Sequence, residues 1–307
     1  MTLTRTRAAR VGDTASLSTP GTPRQPATPP GPPTTRLAAR HLRLGYGRET
    51  VVGDLSLDIP DAGFTVIVGP NACGKSTLLK ALARTQAPQA GTVLLDGAPI
   101  GHMRSRAVSR QLAMLPQSPT APDAITVRDL VGRGRFPHQT FLRQWSRDDE
   151  TAVHAALSAT NITALADRDM SELSGGQRQR AWIAMVLAQQ TELVLLDEPT
   201  TFLDIAHQHD VLELCSRLHA DGRTLVAVLH DLNQAARYAT HLVVMKAGAI
   251  VAQGDPSTVL TAELVQEVFG LSCVIIDDPE TGTPLVVPKA TPSSRRAATR
   301  SEFPPAV

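Results

Sequence analysis

From about residue 37 to 288 the chain alternates short apolar runs with amphipathic stretches. Leu55, Leu57 and Ile59 occupy alternate positions, which predicts a strand with one buried face. Residues 65–68 form a β-rich run that ends in a glycine loop, and a helix is predicted from about Lys75. Residues 93–95 predict a strand closed by the turn pair Asp96-Gly97. Further on, the pattern predicts strands over 193–196 and 224–229, a helix over 205–218 and a helix from Leu232. Such alternation implies a mainly parallel sheet with helices on both faces. Residues 119–172 carry few strand signals and predict helices, one of them over 148–160. That region, extended to about 180, is expected to form a helical subdomain inserted in the sheet domain.

The two ends depart from this pattern. Residues 1–36 are rich in Thr, Pro, Ala and Arg without apolar periodicity, and residues 1–40 hold six arginines against one aspartate. A disordered arm is expected there. An organelle transit peptide conflicts with the prolines at 26–33, and contact of a basic arm with anionic lipid stays open. A flexible tail is expected over 289–307. The chain has 307 residues, 42% hydrophobic, with a formal net charge of +1. That balance argues against a nucleic-acid partner, which calls for a strongly basic domain. Only four of the 30 basic residues are lysine, Lys75, Lys80, Lys246 and Lys289. Cys73, Cys215 and Cys273 are far apart, which predicts a reducing compartment with no disulfide framework and no zinc site. No apolar run approaches the roughly 18 residues of a membrane span, and no secretory signal is visible. A cytosolic protein is expected.

The chemistry lies in three motifs. Gly69-Pro70-Asn71-Ala72-Cys73-Gly74-Lys75-Ser76 follows a predicted strand and precedes a predicted helix. This spacing suits a loop whose backbone amides wrap a β-phosphate at a helix N-terminus. Lys75 would reach the β/γ-phosphates, Ser76 would ligate Mg²⁺, and Thr77 completes the nucleotide-binding stretch. The Cys73 thiol has no expected part in the chemistry. Leu193-Val194-Leu195-Leu196-Asp197-Glu198 is an apolar strand ending in two acids. Asp197 is expected in the Mg²⁺ shell. Glu198, predicted to point the other way along the pleat, would take a proton from attacking water. The third motif, Leu173-Ser174-Gly175-Gly176-Gln177, opens a helix with Ser174 as N-cap and bare amides at a positive end. It makes a second phosphate site in a chain that already has one, so it is expected to cap a nucleotide held by another copy.

Together these residues resemble the ATPases of ABC transporters over roughly residues 38–288. The resemblance implies an α/β P-loop NTPase fold with a mainly parallel core, an antiparallel β subdomain and an inserted helical subdomain. It implies a head-to-tail homodimer with two ATP molecules, each between one phosphate loop and the opposite signature motif. By the same resemblance Tyr46 stacks on adenine, Gln117 touches Mg²⁺ and senses the membrane partner, and Asp204 communicates across the dimer. His230 bonds the γ-phosphate and positions the water beside Glu198.

Four further stretches are similar to the subunits that energise ferric-siderophore import, near the catecholate branch. They are Gly132-Arg133-Gly134-Arg135-Phe136-Pro137-His138, the run continuing Asp197 through Gln208, His230-Asp231-Leu232-Asn233-Gln234-Ala235, and Asp278-Pro279-Glu280-Thr281-Gly282-Thr283-Pro284. The implied partners are integral-membrane permease subunits and, indirectly, a siderophore-binding protein. The implied location is peripheral, at the cytoplasmic face of a bacterial membrane. Import of cobalamin or haem is the alternative, and a soluble ABC ATPase without a transport role stands behind it.

Overall fold

The structure is a computed structural model that describes residues 35–122, 124–139, 145–201 and 203–290. The described residues all belong to one compact unit. Of the arms expected over 1–36 and 289–307, residues 1–34 and 291–307 lie outside them, as do residues 123, 140–144 and 202. Thr35 and Arg36 are already strand, so the expected N-terminal arm would be two residues shorter than the pattern implied.

The chain opens with β1 (Thr35–Tyr46) and β2 (Glu49–Pro60), an antiparallel pair. Leu55, Leu57 and Ile59 of β2 are buried on alternate positions, as their spacing predicts. Strand β1 carries no comparable signal because its register shifts between Ala39 and Leu42, where His41 adopts a φ of 47°. That bulge breaks the period of two, although Leu37, Ala39, Leu42 and Leu44 are all buried. Next come β3 (Phe64–Val68), helix α1 (Lys75–Leu82), β4 (Ala90–Leu95) and the short β5 (Ala98–Pro99). Asp96 and Gly97 both have positive φ, 49° and 77°, which fits a tight hairpin between β4 and β5. Strands β2-β1-β4-β5, in that order, make an antiparallel sheet.

Helix α2 (Ser105–Ser109) leads into β6 (Leu112–Leu115). Three helices follow: α3 (Val127–Arg133), α4 (Arg147–Ala159) and α5 (Gly175–Ala188). Both α4 and α5 start with a reciprocal capping box, Ser146 with Asp149 and Ser174 with Gln177. The chain then alternates β7 (Leu193–Asp197), α6 (Ile205–Ala220), β8 (Thr224–Val228), α7 (Leu232–Tyr238) and β9 (His241–Lys246). It closes with β10 (Ala249–Gly254), α8 (Pro256–Val259), α9 (Ala262–Phe269) and the hairpin β11 (Cys273–Asp277) and β12 (Pro284–Pro288).

The main sheet has the order β10-β9-β3-β8-β7-β6 and is parallel except at β10. Every residue of β3, β7 and β8 is buried, as expected for parallel strands covered on both faces. Phe64, Val66, Val68, Val194 and Leu196 join the core formed with α3 to α7. Ile67, Leu193, Leu195, Val226 and Val228 face α1 and the antiparallel sheet. The alternation fixes which loop residues emerge at the strands' C-terminal ends. In parallel α/β sheets that edge is where ligands bind.

Candidate nucleotide site

Four candidate segments leave the C-terminal ends of neighbouring parallel strands. The phosphate loop follows β3, Gln117 lies two residues past β6, Glu198 directly follows β7, and His230 lies two residues past β8. The sheet order therefore gathers residues from four distant parts of the sequence. They line a cavity of about 990 Å³ together with Tyr46, Asn71, Cys73, Lys75, Ser76 and Thr77.

The loop needs its glycines. Gly69 has a φ of 157°, and a Cβ there would lie 2.2 Å from the Met245 carbonyl oxygen. Gly74 has a φ of 102° immediately before α1, which L side chains rarely adopt. Lys75 is buried and its Nζ donates to the carbonyls of Gly69 and Pro70, both at 2.9 Å. The loop thus wraps around its own lysine, with the charge held at the cavity. Cys73 is buried as well. Burial pushes its thiol up from the ordinary cysteine value, opposed by the nearby Lys75 charge. Tyr46 is 54% exposed with its hydroxyl 3.5 Å from Thr77 Oγ1, so its ring face is open to a flat ligand.

The two acids after β7 have different environments. Asp197 Oδ1 accepts from Ser76 Oγ at 2.8 Å, while Asp197 Oδ2 is buried without a hydrogen-bond partner. Burial pushes the Asp197 carboxyl up, and the Ser76 bond opposes it. An orphaned carboxylate oxygen beside a hydroxyl is a hard-oxygen donor set, so Ser76 and Asp197 fit Mg²⁺. Among the described residues no cluster of three or more His, Cys, Asp or Glu could hold a metal by itself. Gln117 is engaged with the other acid. Its Nε2 donates to Glu198 Oε2 at 2.7 Å.

Glu198 corrects one expectation. It does not continue the pleat of β7 but turns out of it with a φ of 53°, a left-handed conformation that costs a non-glycine residue about 1–3 kcal/mol. The turn aims its carboxylate at three partners. Gln117 donates at 2.7 Å, Thr201 Oγ1 donates at 3.1 Å, and His230 Nε2 lies 2.6 Å from Oε1. Burial pushes Glu198 up, but the His230 hydrogen bond and charge, then Gln117 and Thr201, outweigh it and hold the carboxyl below its usual range. Besides Glu49 and Val51, the cavity-lining residue that motif reading missed is Thr201. Its only signal is a hydroxyl three residues after an acid.

Two expected site elements are elsewhere. Ser174, Gly175, Gly176 and Gln177 start α5, and none of them lines the cavity. Ser174 and Gly175 are exposed. Asp204 also lies outside the cavity. It caps α6, accepting from His207 N at 2.9 Å, and its Oδ1 lies 2.6 Å from His207 Nδ1. The His207 ring covers Gly176, where a Cβ would approach it to 2.7 Å. The D204 segment and the signature motif thus form one surface.

A parallel sheet with a phosphate loop, a strand-end aspartate and a held glutamate defines an ATPase of the P-loop class. The family model for ABC transporter matches residues 52–201. The ferric enterobactin transport ATP-binding protein FepC of Escherichia coli (strain K12) is 58% identical over 254 residues, covering 82% of this chain and 94% of that protein. A siderophore transport system ATP-binding protein, YusV of Bacillus subtilis (strain 168), is 51% identical over 253 residues, covering 82% of this chain and 92% of its own. A solved metal-chelate type ABC transporter in an inward-facing conformation superposes with a TM-score of 0.72 at 29% identity, covering 84% of this chain and 99% of that one. The chain belongs to the ATP-binding, ATP-hydrolysing subunits of ABC transporters.

Proposed function

We propose that this ATPase energises import of a ferric siderophore, with the catecholate class first, through a membrane permease. The observation that carries this reading is the 58% identity to a ferric enterobactin transport subunit along 94% of its length. Among the described residues no helix is long and apolar enough to cross a membrane. The path for the cargo is proposed to lie in permease subunits. The chain is proposed to sit peripherally at the cytoplasmic face of the membrane, with a siderophore-binding protein as an indirect partner.

Residues 69–77 grip the phosphates of ATP, with Tyr46 against the adenine. Ser76, Asp197 and Gln117 would hold Mg²⁺, which would supply charge neutralisation at the β/γ-phosphates. Glu198 accepts the proton of the attacking water, and His230 bonds the γ-phosphate while keeping Glu198 oriented. The depressed basicity of Glu198 belongs to the state in which His230 and Gln117 occupy it. Ser174 to Gln177 of a second copy cover the γ-phosphate, and Asp204 lies at the same junction. The helical subdomain of about 119–180 moves with the permease as the copies close and reopen, an equilibrium biased by ATP.

Replacing Ser174 with arginine in the purified chain tests the shared site. Turnover should fall at least a hundredfold, the scale of losing a transition-state donor, while the same chain binds fluorescent ATP with unchanged affinity. Unchanged turnover, or lost binding by a folded variant, contradicts the sandwich.

A further inference from the structure

The C-terminal hairpin holds the helix that carries His230. Asn233 of α7, three residues after His230, brackets Val286 of β12. Its Nδ2 donates to the Val286 carbonyl at 3.3 Å, and its Oδ1 accepts from the Val286 N–H at 2.7 Å. One turn further along, Arg237 Nη1 lies 4.0 Å from Asp278 Oδ2 in the hairpin's turn. Residues four apart share a helix face, so the hairpin grips α7 along one side. The neighbouring side is tied to α6: Gln234 Nε2 donates to Gln208 Oε1 at 2.8 Å, and Tyr238 donates to Glu213 at 2.9 Å.

These ties have a direct route to the reacting end. Asp231 caps α7 by accepting from the N–H groups of Asn233 and Gln234, at 2.7 and 3.0 Å. His230 is the residue before that cap, and its ring spans an open position, 44% exposed, to reach the buried Glu198. Apolar packing alone tolerates sliding of a seven-residue helix, whereas a two-point bond to a single backbone unit fixes its position along the strand. Val286 is itself buried in the main core, so the bracket is anchored to a part that does not move freely.

We propose that Asn233 is a positioning residue for ATP hydrolysis, holding α7 against Val286 so that His230 meets Glu198, with the hairpin as its frame. The proposal rests on the role given to His230 above. Asn233→Leu removes both bonds at nearly constant volume. Steady-state hydrolysis by the full-length chain is compared for wild type, Asn233→Leu, His230→Ala and the double variant. The leucine variant should lose about tenfold in kcat with KM for ATP within about twofold, the mark of an interaction used in the transition state. In the His230→Ala background the leucine should cost nothing more, because both act through one group. Wild-type kcat for Asn233→Leu, or losses that multiply in the double variant, would overturn the positioning role and leave that of His230 standing. Wild-type kcat for His230→Ala would remove both. If the leucine chain does not fold, Asn233→Ser, too short to bracket Val286, takes its place in the same cycle.

Discussion

Replacing Glu198 with glutamine separates nucleotide binding from hydrolysis. The carboxylate accepts from Gln117 and Thr201 on Oε2 and meets His230 on Oε1. An amide keeps the shape and one acceptor oxygen but cannot take a proton from water. General-base catalysis supplies about 10²–10⁴ in rate, which is about 3–5 kcal/mol of barrier at 1.36 kcal/mol per tenfold. The amide nitrogen must also face one of the three partners. Rotation of the Gln117 amide can satisfy it, so folding should change by no more than about 1 kcal/mol. Phosphate grip is proposed to come from Lys75 and the loop amides, which are untouched. Single-turnover phosphate release should therefore fall at least a hundredfold while ATP affinity stays within about twofold. Because ATP persists, sedimentation should show a dimer that forms only with nucleotide. Release at a near wild-type rate would refute the role of Glu198 as base.

The remaining predictions concern the loop and the helical segment. A bulky maleimide on Cys73 should block nucleotide binding, and bound ATP should slow labelling of the buried thiol further, since it belongs to the loop proposed to wrap the phosphates. Equal labelling with and without ATP, read by mass spectrometry, would count against that geometry. Asp149→Ala should lower stability by about 3 kcal/mol in urea melts, because it removes the carboxylate bonded at 2.9 Å to the buried Arg135 guanidinium, which also donates to the neutral Ala188 carbonyl and Gln190 Oε1. Burial pushes the Asp149 carboxyl up, but the bonds from Arg135 and Ser146 outweigh it and leave it lowered. The pair's contribution is then complete above about pH 4, the ordinary carboxyl range, and disappears as pH falls through the lower folded value. The stability gap between wild type and Asp149→Ala should close over that acid range, and a gap constant down to the lowest pH at which the protein folds would contradict it.

Much of the site was legible because each motif combines a spacing with a strand or helix boundary. Gly69 and Gly74 mark positions whose φ of 157° and 102° only glycine adopts readily, and Ser174 and Gln177 announce their capping box in the sequence. The parallel core was legible from fully apolar runs such as 193–196. Three features were not. Strand β1 hides its period behind a bulge at His41. The direction of Glu198 depends on a left-handed φ that no alternation rule supplies, and only the fold brings Thr201, Gln117 and His230 to it. The hairpin's hold on α7 pairs Asn233 with a backbone 53 residues away, beyond the reach of any local pattern. In the sequence the run from Asp278 to Pro284 stands out by resemblance alone. The structure gives it a physical place as the turn beside Arg237.

The most direct test of the central claim is uptake of iron-labelled siderophores by cells lacking this chain, restored with wild type or with Glu198→Gln. The account predicts that uptake of a ferric siderophore, tested first with catecholates, stops on deletion, returns with wild type and does not return with the glutamine variant. Unimpaired uptake of every siderophore in cells lacking the chain and its paralogues, or rescue by Glu198→Gln equal to wild type, would contradict it.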